Sequence, residues 1–323
     1  MKAAQNNDTF IYKLGQLRNL PKIIGIEALN KRAKAKYTQD PLIESLCSLN
    51  SKLHKQYINA KLCSSTLEQV GDKVVSKYCK NRFCRVCNRI ATGKLINGYS
   101  PVLEAMEKKM FVTLTIPNVE AKILRSSIQK MSKTMRLIQD LRRKQKKPVY
   151  RAIRKLECTY NVHKNNYHPH FHLILEGGEA QADDLIRDWL SYYPESVAEA
   201  QHKTTAKEYL ELFKYFTKLT SNTGKTYKNG SKLIDEWSFP EAIDIIFTAI
   251  RNIRIIQPMG GIKLVKEEID ELTAEIIDET LPVKNTIYIW NGQNWYDPFT
   301  QENFSSFKPT KNLAAYRQKI RYL

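Results

Sequence analysis

The stretch Tyr167-His168-Pro169-His170-Phe171-His172-Leu173-Ile174-Leu175 places three histidines at alternate positions. On a β-strand successive side chains point to opposite faces, so His168, His170 and His172 share one face. Phe171, Leu173 and Leu175 share the other and belong in a core. Neighbours on one face lie roughly 7 Å apart, so two imidazoles reach one ion and three do not do so easily. The apolar residues after His172 mark the centre of the strand, which makes His170 and His172 the better pair. Three of only six histidines within five residues is an improbable pattern for a solvated strand face.

Working outward, Arg154–Tyr160 and Pro169–Glu176 read as two strands of a hairpin around the polar turn HKNNY. With the turn centred near Asn165, Glu157 falls opposite residue 173, one position from His172. Lys155 and Thr159 share its face, and Leu156, Cys158 and Tyr160 take the opposite one. Glu157 is therefore expected as the third ligand, with His168 as the fallback. Two imidazoles and a carboxylate with open positions suit Mg²⁺, Mn²⁺ or another transition ion. FVTLTIP (Phe111–Pro117) is a further strand, closed by its proline. Residues 119–147 form a long basic helix ended by Pro148. Helices are expected at Asp183–Tyr192, Thr205–Leu219 and 241–256, and at Gly93–Lys109 with a break near Gly98 and Pro101. YIWNGQNWYD (Tyr288–Asp297) reads as a hairpin.

The 323 residues carry 52 Lys+Arg against 33 Asp+Glu, a formal charge of +19. Between Ala121 and Lys155 stand thirteen basic residues and one acid, Asp140. Such a block is costly to hold together unless it faces phosphate, where released counterions drive binding. With 42% apolar residues the chain is globular rather than disordered. It has no run long enough for a transmembrane helix, and its N-terminus lacks the apolar region of a signal peptide. A soluble protein of the bacterial cytoplasm is expected, with nucleic acid rather than membrane as partner.

In an interior protein six cysteines are not expected to form disulfides. Cys63, Cys79, Cys84 and Cys87 follow the pattern C-x15-C-x4-C-x2-C, close to zinc-ribbon spacings. A hairpin and a tight knuckle can present four thiolates to one tetrahedral Zn²⁺, in a closed structural site. Cys47 and Cys158 read as isolated small apolar residues.

In AKEYLELFKYFTKL the apolar stripe is Leu212, Phe213, Phe216 and Leu219, and Glu208, Glu211, Tyr215 and Lys218 fall on the other helix face. With this segment in view, the order FVTLTIPN, HPHFHLIL, ELFKYFTK resembles the HUH endonucleases, and more closely the replication initiator (Rep) proteins of small rolling-circle plasmids. The similarity covers roughly residues 60–260. It implies a divalent metal on His170 and His172 and a nucleophilic Tyr215, with Glu211 four residues earlier, as in the single-tyrosine branch. It further implies site-specific nicking and rejoining of single-stranded or hairpin origin DNA through a 5′-phosphotyrosine, leaving a 3′-OH primer for a host polymerase. Glu211 then serves as general base in the closing step. No helicase P-loop occurs, since SNTGKTYKNG lacks the first glycine at the right offset, so a host helicase is expected as partner. Lys214, Lys218, Arg142, Arg143 and Lys144 are candidate DNA contacts.

The expected fold is α+β, an HUH nuclease with a central antiparallel sheet flanked by helices, plus a small zinc-binding module. Four segments are expected: a basic helical region at 1–60, the zinc module at 61–100, the nuclease domain at 101–260, and an acidic segment with a hairpin at 261–323. The acidic stretch 267–279 is a candidate contact for the basic surface or a host protein. Rival readings are an HUH transposase or mobilisation relaxase, and a non-catalytic zinc DNA-binding repressor. The repressor leaves the histidine strand and Tyr215 without a purpose.

Overall fold

The computed structural model describes residues 23–206, 212–213, 221–228, 231–266, 272–277 and 284–323. Tyr215, Glu211, Lys214 and Lys218 lie outside the described residues. The chain divides into two compact units. One comprises Leu49–Leu53, Pro101–Val265 and Lys319–Leu323; the other comprises Met1–Ser48, His54–Ser100 and Lys266–Gln318.

The first unit is built on a five-stranded sheet. Its order is Ile256–Met259, Ala152–Asn161, Asn166–Leu175, Met110–Thr115, His202–Thr205, and every pairing is antiparallel. Alternation decides its two faces. Phe171 pairs with Leu114 and Leu156, and Leu173 pairs with Val112. All are almost wholly buried, on the face that the helices cover. Helix Ala121–Lys144 presents Leu124, Ile128, Met131, Met135 and Ile138 at steps of three and four, an apolar stripe fully withdrawn from water. Helix Gly178–Tyr192 adds Leu185 and Trp189; the Trp189 indole N–H donates to the Thr115 carbonyl at 3.0 Å and its ring meets Phe171 edge-on. The opposite face carries His168, His170 and His172 together with Lys155 and Glu157.

The hairpin register differs from the expectation. Glu157 pairs with His170 and Lys155 with His172, so the turn is centred between His163 and Lys164 rather than near Asn165. The displacement is three residues, an odd number, and it decides the face: opposite residue 173, Glu157 would point into the core, whereas opposite His170 it stands beside the imidazoles. Asn165, at a φ of +45°, and a hydrogen bond from the Tyr160 hydroxyl to its amide oxygen shape the exit of the turn.

Three further expectations change. The helix expected at Gly93–Lys109 runs Arg85–Ala105 without a break at Gly98 or Pro101. Leu95, Tyr99 and Leu103 are buried at steps of four, and that burial outweighs the hydrogen bond that Pro101 cannot make. Thr205, the expected first residue of the Thr205–Leu219 helix, ends the edge strand His202–Thr205; most of that expected helix lies outside the described residues, and of its predicted stripe Leu212 and Phe213 are buried. The helix expected at 241–256 is Pro240–Ile250, followed by the strand Ile256–Met259.

The second unit gathers segments that the sequence placed in three separate parts. Its six-stranded sheet runs Ile23–Ile24, Leu272–Ile277, Lys73–Lys77, Thr66–Gly71, Lys284–Trp290, Trp295–Tyr296. Within the stretch read as an acidic contact, Leu272–Ile277 is therefore a sheet strand, antiparallel to Lys73–Lys77. The predicted Tyr288–Asp297 hairpin forms, pairing Trp290 with Trp295. Leu29, Ala33 and Tyr37 from the helix Ile26–Cys47 pack with Leu67, Val74, Tyr288, Trp295, Phe304 and Phe307 in one core.

Candidate metal centre

Glu157, His170 and His172 converge on one face of the sheet, half-buried or buried, each offering one ligand atom, with the three atoms within 4.8 Å of one another. The nearer Glu157 oxygen lies 3.6 Å from His170 Nε2 and 3.4 Å from His172 Nε2. Those distances are long for hydrogen bonds. They are close to the separation of about 3 Å between adjacent ligands on one octahedral ion with bonds of about 2.1 Å.

The surroundings orient the ligand atoms. His170 Nδ1 lies 3.0 Å from the His168 carbonyl, which only accepts, so the ring carries its proton there and Nε2 keeps a lone pair for the centre. His172 Nδ1 lies 3.0 Å from Thr113 Oγ1, on the neighbouring strand directly across the ladder. Donation from Nδ1 to that hydroxyl leaves the Nε2 lone pair free in the same way. Lys155, almost wholly buried, holds the other Glu157 oxygen at 2.5 Å. Burial works to raise the Glu157 carboxyl, but the two imidazoles and Lys155 outweigh it and hold the group well below the usual carboxylate range. A permanent carboxylate and two oriented nitrogens form a donor set that fits a divalent cation.

His168, the fallback ligand, is engaged elsewhere. Its Nε2 meets Thr115 Oγ1 and its Nδ1 meets Asn118 Oδ1, both at 2.8 Å. Burial and then the neighbouring His170 lower it to about 4. The structure brings the three expected residues Glu157, His170 and His172 together; Lys155 was placed on their face without a role, and Thr113 and Asn118 were missed. Thr113 and Thr115 alternate in FVTLTIPN with the same period as the histidines, a signal the sequence offered. We expect Thr113→Val, a nearly isosteric change, to weaken divalent-ion affinity by about 10–100-fold with the fold kept, as checked by calorimetric titration with Mn²⁺.

The four predicted cysteines also meet. All four sulfurs lie within 4.8 Å of one another, with Cys63–Cys87 at 3.5 Å and Cys79–Cys87 at 3.6 Å. Four thiolates on Zn²⁺ at about 2.3 Å require sulfurs slightly under 4 Å apart, so the set fits a tetrahedral ion. The hairpin Thr66–Gly71/Lys73–Lys77 brings its two flanks together, Cys63 before it and Cys79 after it. Cys84 and Cys87 stand at the start of helix Arg85–Ala105, where the helix dipole favours thiolate. Buried Lys36 donates to the carbonyls of Lys61 and Cys63, fixing the first ligand's backbone. Burial would raise the Cys84 thiol, but its three sulfur neighbours hold it well below the usual value. Cys47 and Cys158 are free thiols, away from this cluster.

Residues 73–177 match a family model described as "Replication protein". That span holds Cys79, Cys84 and Cys87 and the whole Glu157–His170–His172 set. Over that span the chain is similar to replication proteins. It is 36% identical to "Protein rep" of Staphylococcus aureus over 126 residues, 35% of this chain and 54% of that protein. It is 31% identical to "Protein rep" of Streptococcus pneumoniae over 105 residues, 30% of this chain and 32% of that protein. The chain thus spans about half or less of the length of these curated relatives. No solved structure matches.

The basic helix corrects one predicted DNA contact. Arg142 is buried, not presented: its Nε donates to the Pro148 carbonyl, its Nη1 to the Tyr150 hydroxyl and to Asp188, and its guanidinium stacks 4.1 Å from the Tyr150 ring. Arg143 is exposed and pairs with Asp140 at 2.5 Å, and Lys144 is exposed. Asp188→Ala leaves Arg142 charged and uncompensated, and is expected to cost about 2–3 kcal/mol of stability in urea unfolding. Arg143→Ala is expected to cost under about 0.5 kcal/mol.

Among the described residues no helix is long and apolar enough to cross a membrane.

Proposed function

We propose that the chain initiates rolling-circle replication of a small plasmid by nicking and rejoining one strand of its origin. The observation that carries this reading is the convergence of Glu157, His170 and His172 on one face of the five-stranded sheet. A divalent ion held there, Mn²⁺ or Mg²⁺, supplies positive charge against the non-bridging oxygens of a scissile phosphate. The remaining roles belong to side chains. The Tyr215 phenol loses its proton and attacks phosphorus, the bond from phosphorus to the 3′-oxygen breaks, and that oxygen takes up a proton. The products are a 5′-phosphate ester on Tyr215 and a free 3′-hydroxyl. Phosphodiester energy is conserved, so a later attack by a 3′-hydroxyl regenerates Tyr215 and a sealed strand without ATP. Glu211 takes the proton from water or hydroxyl in the step that ends the cycle.

Tyr215 and Glu211 enter from the E-x3-Y pair and the family resemblance, as do Lys214 and Lys218 as phosphate contacts. The free 3′-hydroxyl primes a host polymerase, and a host helicase opens the duplex. The four-cysteine cluster holds Zn²⁺ in a structural role, since all four of its valences are filled by the protein. The test is incubation of the full chain with end-labelled single-stranded origin DNA and Mn²⁺, resolved on a denaturing gel. Nicking that EDTA abolishes and that leaves a 3′-hydroxyl extendable by polymerase supports the reading. Binding of the chain's own plasmid origin without any cut contradicts it and favours a zinc DNA-binding protein.

A further inference from the structure

The helix-covered side of the histidine sheet contains an open cleft of about 1050 Å³ between helix Ala121–Lys144 and the segment Asn252–Gly260. Its lining is strongly basic. Lys130, Lys133, Arg136 and Arg143 come from the helix, Arg254 from the opposite bank and Arg154 from the floor, against one acid, Asp140. Asp140 is already paired with Arg143, and among the described residues Lys133, Arg136 and Arg254 have no ion pair.

Arg154 is the unusual member. It is 5% exposed and lies on the core face of its strand, opposite Leu173. Its guanidinium stacks 4.0 Å from the Phe171 ring, its Nη1 makes only a long contact with Ser132 Oγ at 3.5 Å, and its buried Nε has no partner. No carboxylate compensates it among the described residues. Burial, and then the charge of Arg136, push it down to about 9. A buried unpaired cation costs stability, and an anion entering the cleft would offset that cost.

We propose that this cleft binds the phosphodiester backbone of duplex DNA, on the opposite face of the sheet from the metal centre. The inference rests on reading DNA as the partner. From Lys130 to Arg143 the cations recur nearly once per turn along about 20 Å of helix, longer than the phosphates of a nucleotide. No aromatic residue lines the cleft, so it lacks the stacking platform that single-strand grooves use. Glu157, His170 and His172 point away from it, so duplex held here is separate from the strand being cut.

The test is fluorescence anisotropy with an arbitrary-sequence duplex and the matching single strand, in EDTA so that nothing is cleaved. Lys133→Ala/Arg136→Ala should weaken duplex binding at least about 10-fold and flatten its logarithmic salt slope by about 2. Single-strand binding should change less than about 3-fold. The control Lys146→Ala/Lys147→Ala removes the same charge outside the cleft and should change duplex binding less than about 3-fold. Arg154→Met should weaken duplex binding while leaving the melting temperature equal or higher. Equal losses in the two double variants would overturn the cleft in favour of diffuse attraction. Stoichiometric displacement of duplex by pyrophosphate at low concentration would assign it to a small anion instead. If Arg154→Met unfolds and Lys133→Ala/Arg136→Ala binds duplex normally, Arg154 is structural and the proposal fails. Because no cut is read, these outcomes are independent of the nicking reading.

Discussion

Replacing His170 or His172 with alanine is expected to lower Mn²⁺-dependent nicking at least about 1,000-fold, about 4 kcal/mol of transition-state stabilisation. Each imidazole offers Nε2 to the centre because its Nδ1 is occupied, by the His168 carbonyl or by Thr113. Removing either leaves two ligand atoms, too few to hold an ion in a fixed geometry. The fold should survive, because the hydrophobic core lies on the other side of the strand, with Phe171 and Leu173. Glu157→Gln keeps the shape and removes the charge, so a smaller loss of about 10–100-fold is expected, with weaker metal affinity and Lys155 left without its carboxylate. His168→Ala separates a ligand from a supporting residue: its ring bonds Thr115 and Asn118 and not the centre, so metal affinity should stay within about 3-fold. Equal loss in His168→Ala and His172→Ala would show that the strand, rather than an ion on Nε2, carries the effect. The measurements are single-turnover nicking and calorimetric Mn²⁺ binding on the same preparations.

Cys84→Ser is expected to release one bound zinc per chain and to lower the melting temperature of the cysteine unit by more than about 10 °C. Structural zinc contributes on the order of 10 kcal/mol to small metal-bound folds, and part of that is recovered here from the unit's own core around Trp295 and Tyr37. The ligands come from distant parts of the chain: Cys63 precedes a hairpin, Cys79 follows it, and Cys84 and Cys87 open a helix. Losing the ion therefore frees three attachments at once. Cys47→Ser is the matched control, outside the cluster, and should leave zinc content and melting temperature unchanged. Atomic emission for zinc and calorimetric melting read both quantities. Full stability in a zinc-free Cys84→Ser protein would mean that the thiols simply pack.

His170, His172 and the Cys84–Cys87 pair were legible as candidate ligands because each rests on a short-range rule, whereas Glu157 depended on the hairpin register. Alternation along a strand put His170 and His172 on one face without any knowledge of the tertiary fold, and the cysteine spacing reports a local knuckle. The register was not legible: the residues HKNNY allow several turns, and only the backbone fixes the centre between His163 and Lys164. Propensity failed at Pro101 because burial of Tyr99 and Leu103 decides that helix. The edge strand His202–Thr205 carries no alternation to read. Leu272–Ile277 was hidden by its acidic neighbours, and its partner Lys73–Lys77 lies two hundred residues away in sequence. Arg142 looked like its exposed neighbours in a basic run, and only the positions of Tyr150 and Asp188 distinguish it.

The most direct test of the central claim is peptide mapping by mass spectrometry after the protein meets single-stranded origin DNA and Mn²⁺. The account predicts an oligonucleotide joined through its 5′-phosphate to the peptide bearing Tyr215, absent in EDTA, in Tyr215→Phe and in His172→Ala. Cleavage with no peptide-linked DNA, or linkage to a different residue, would contradict it.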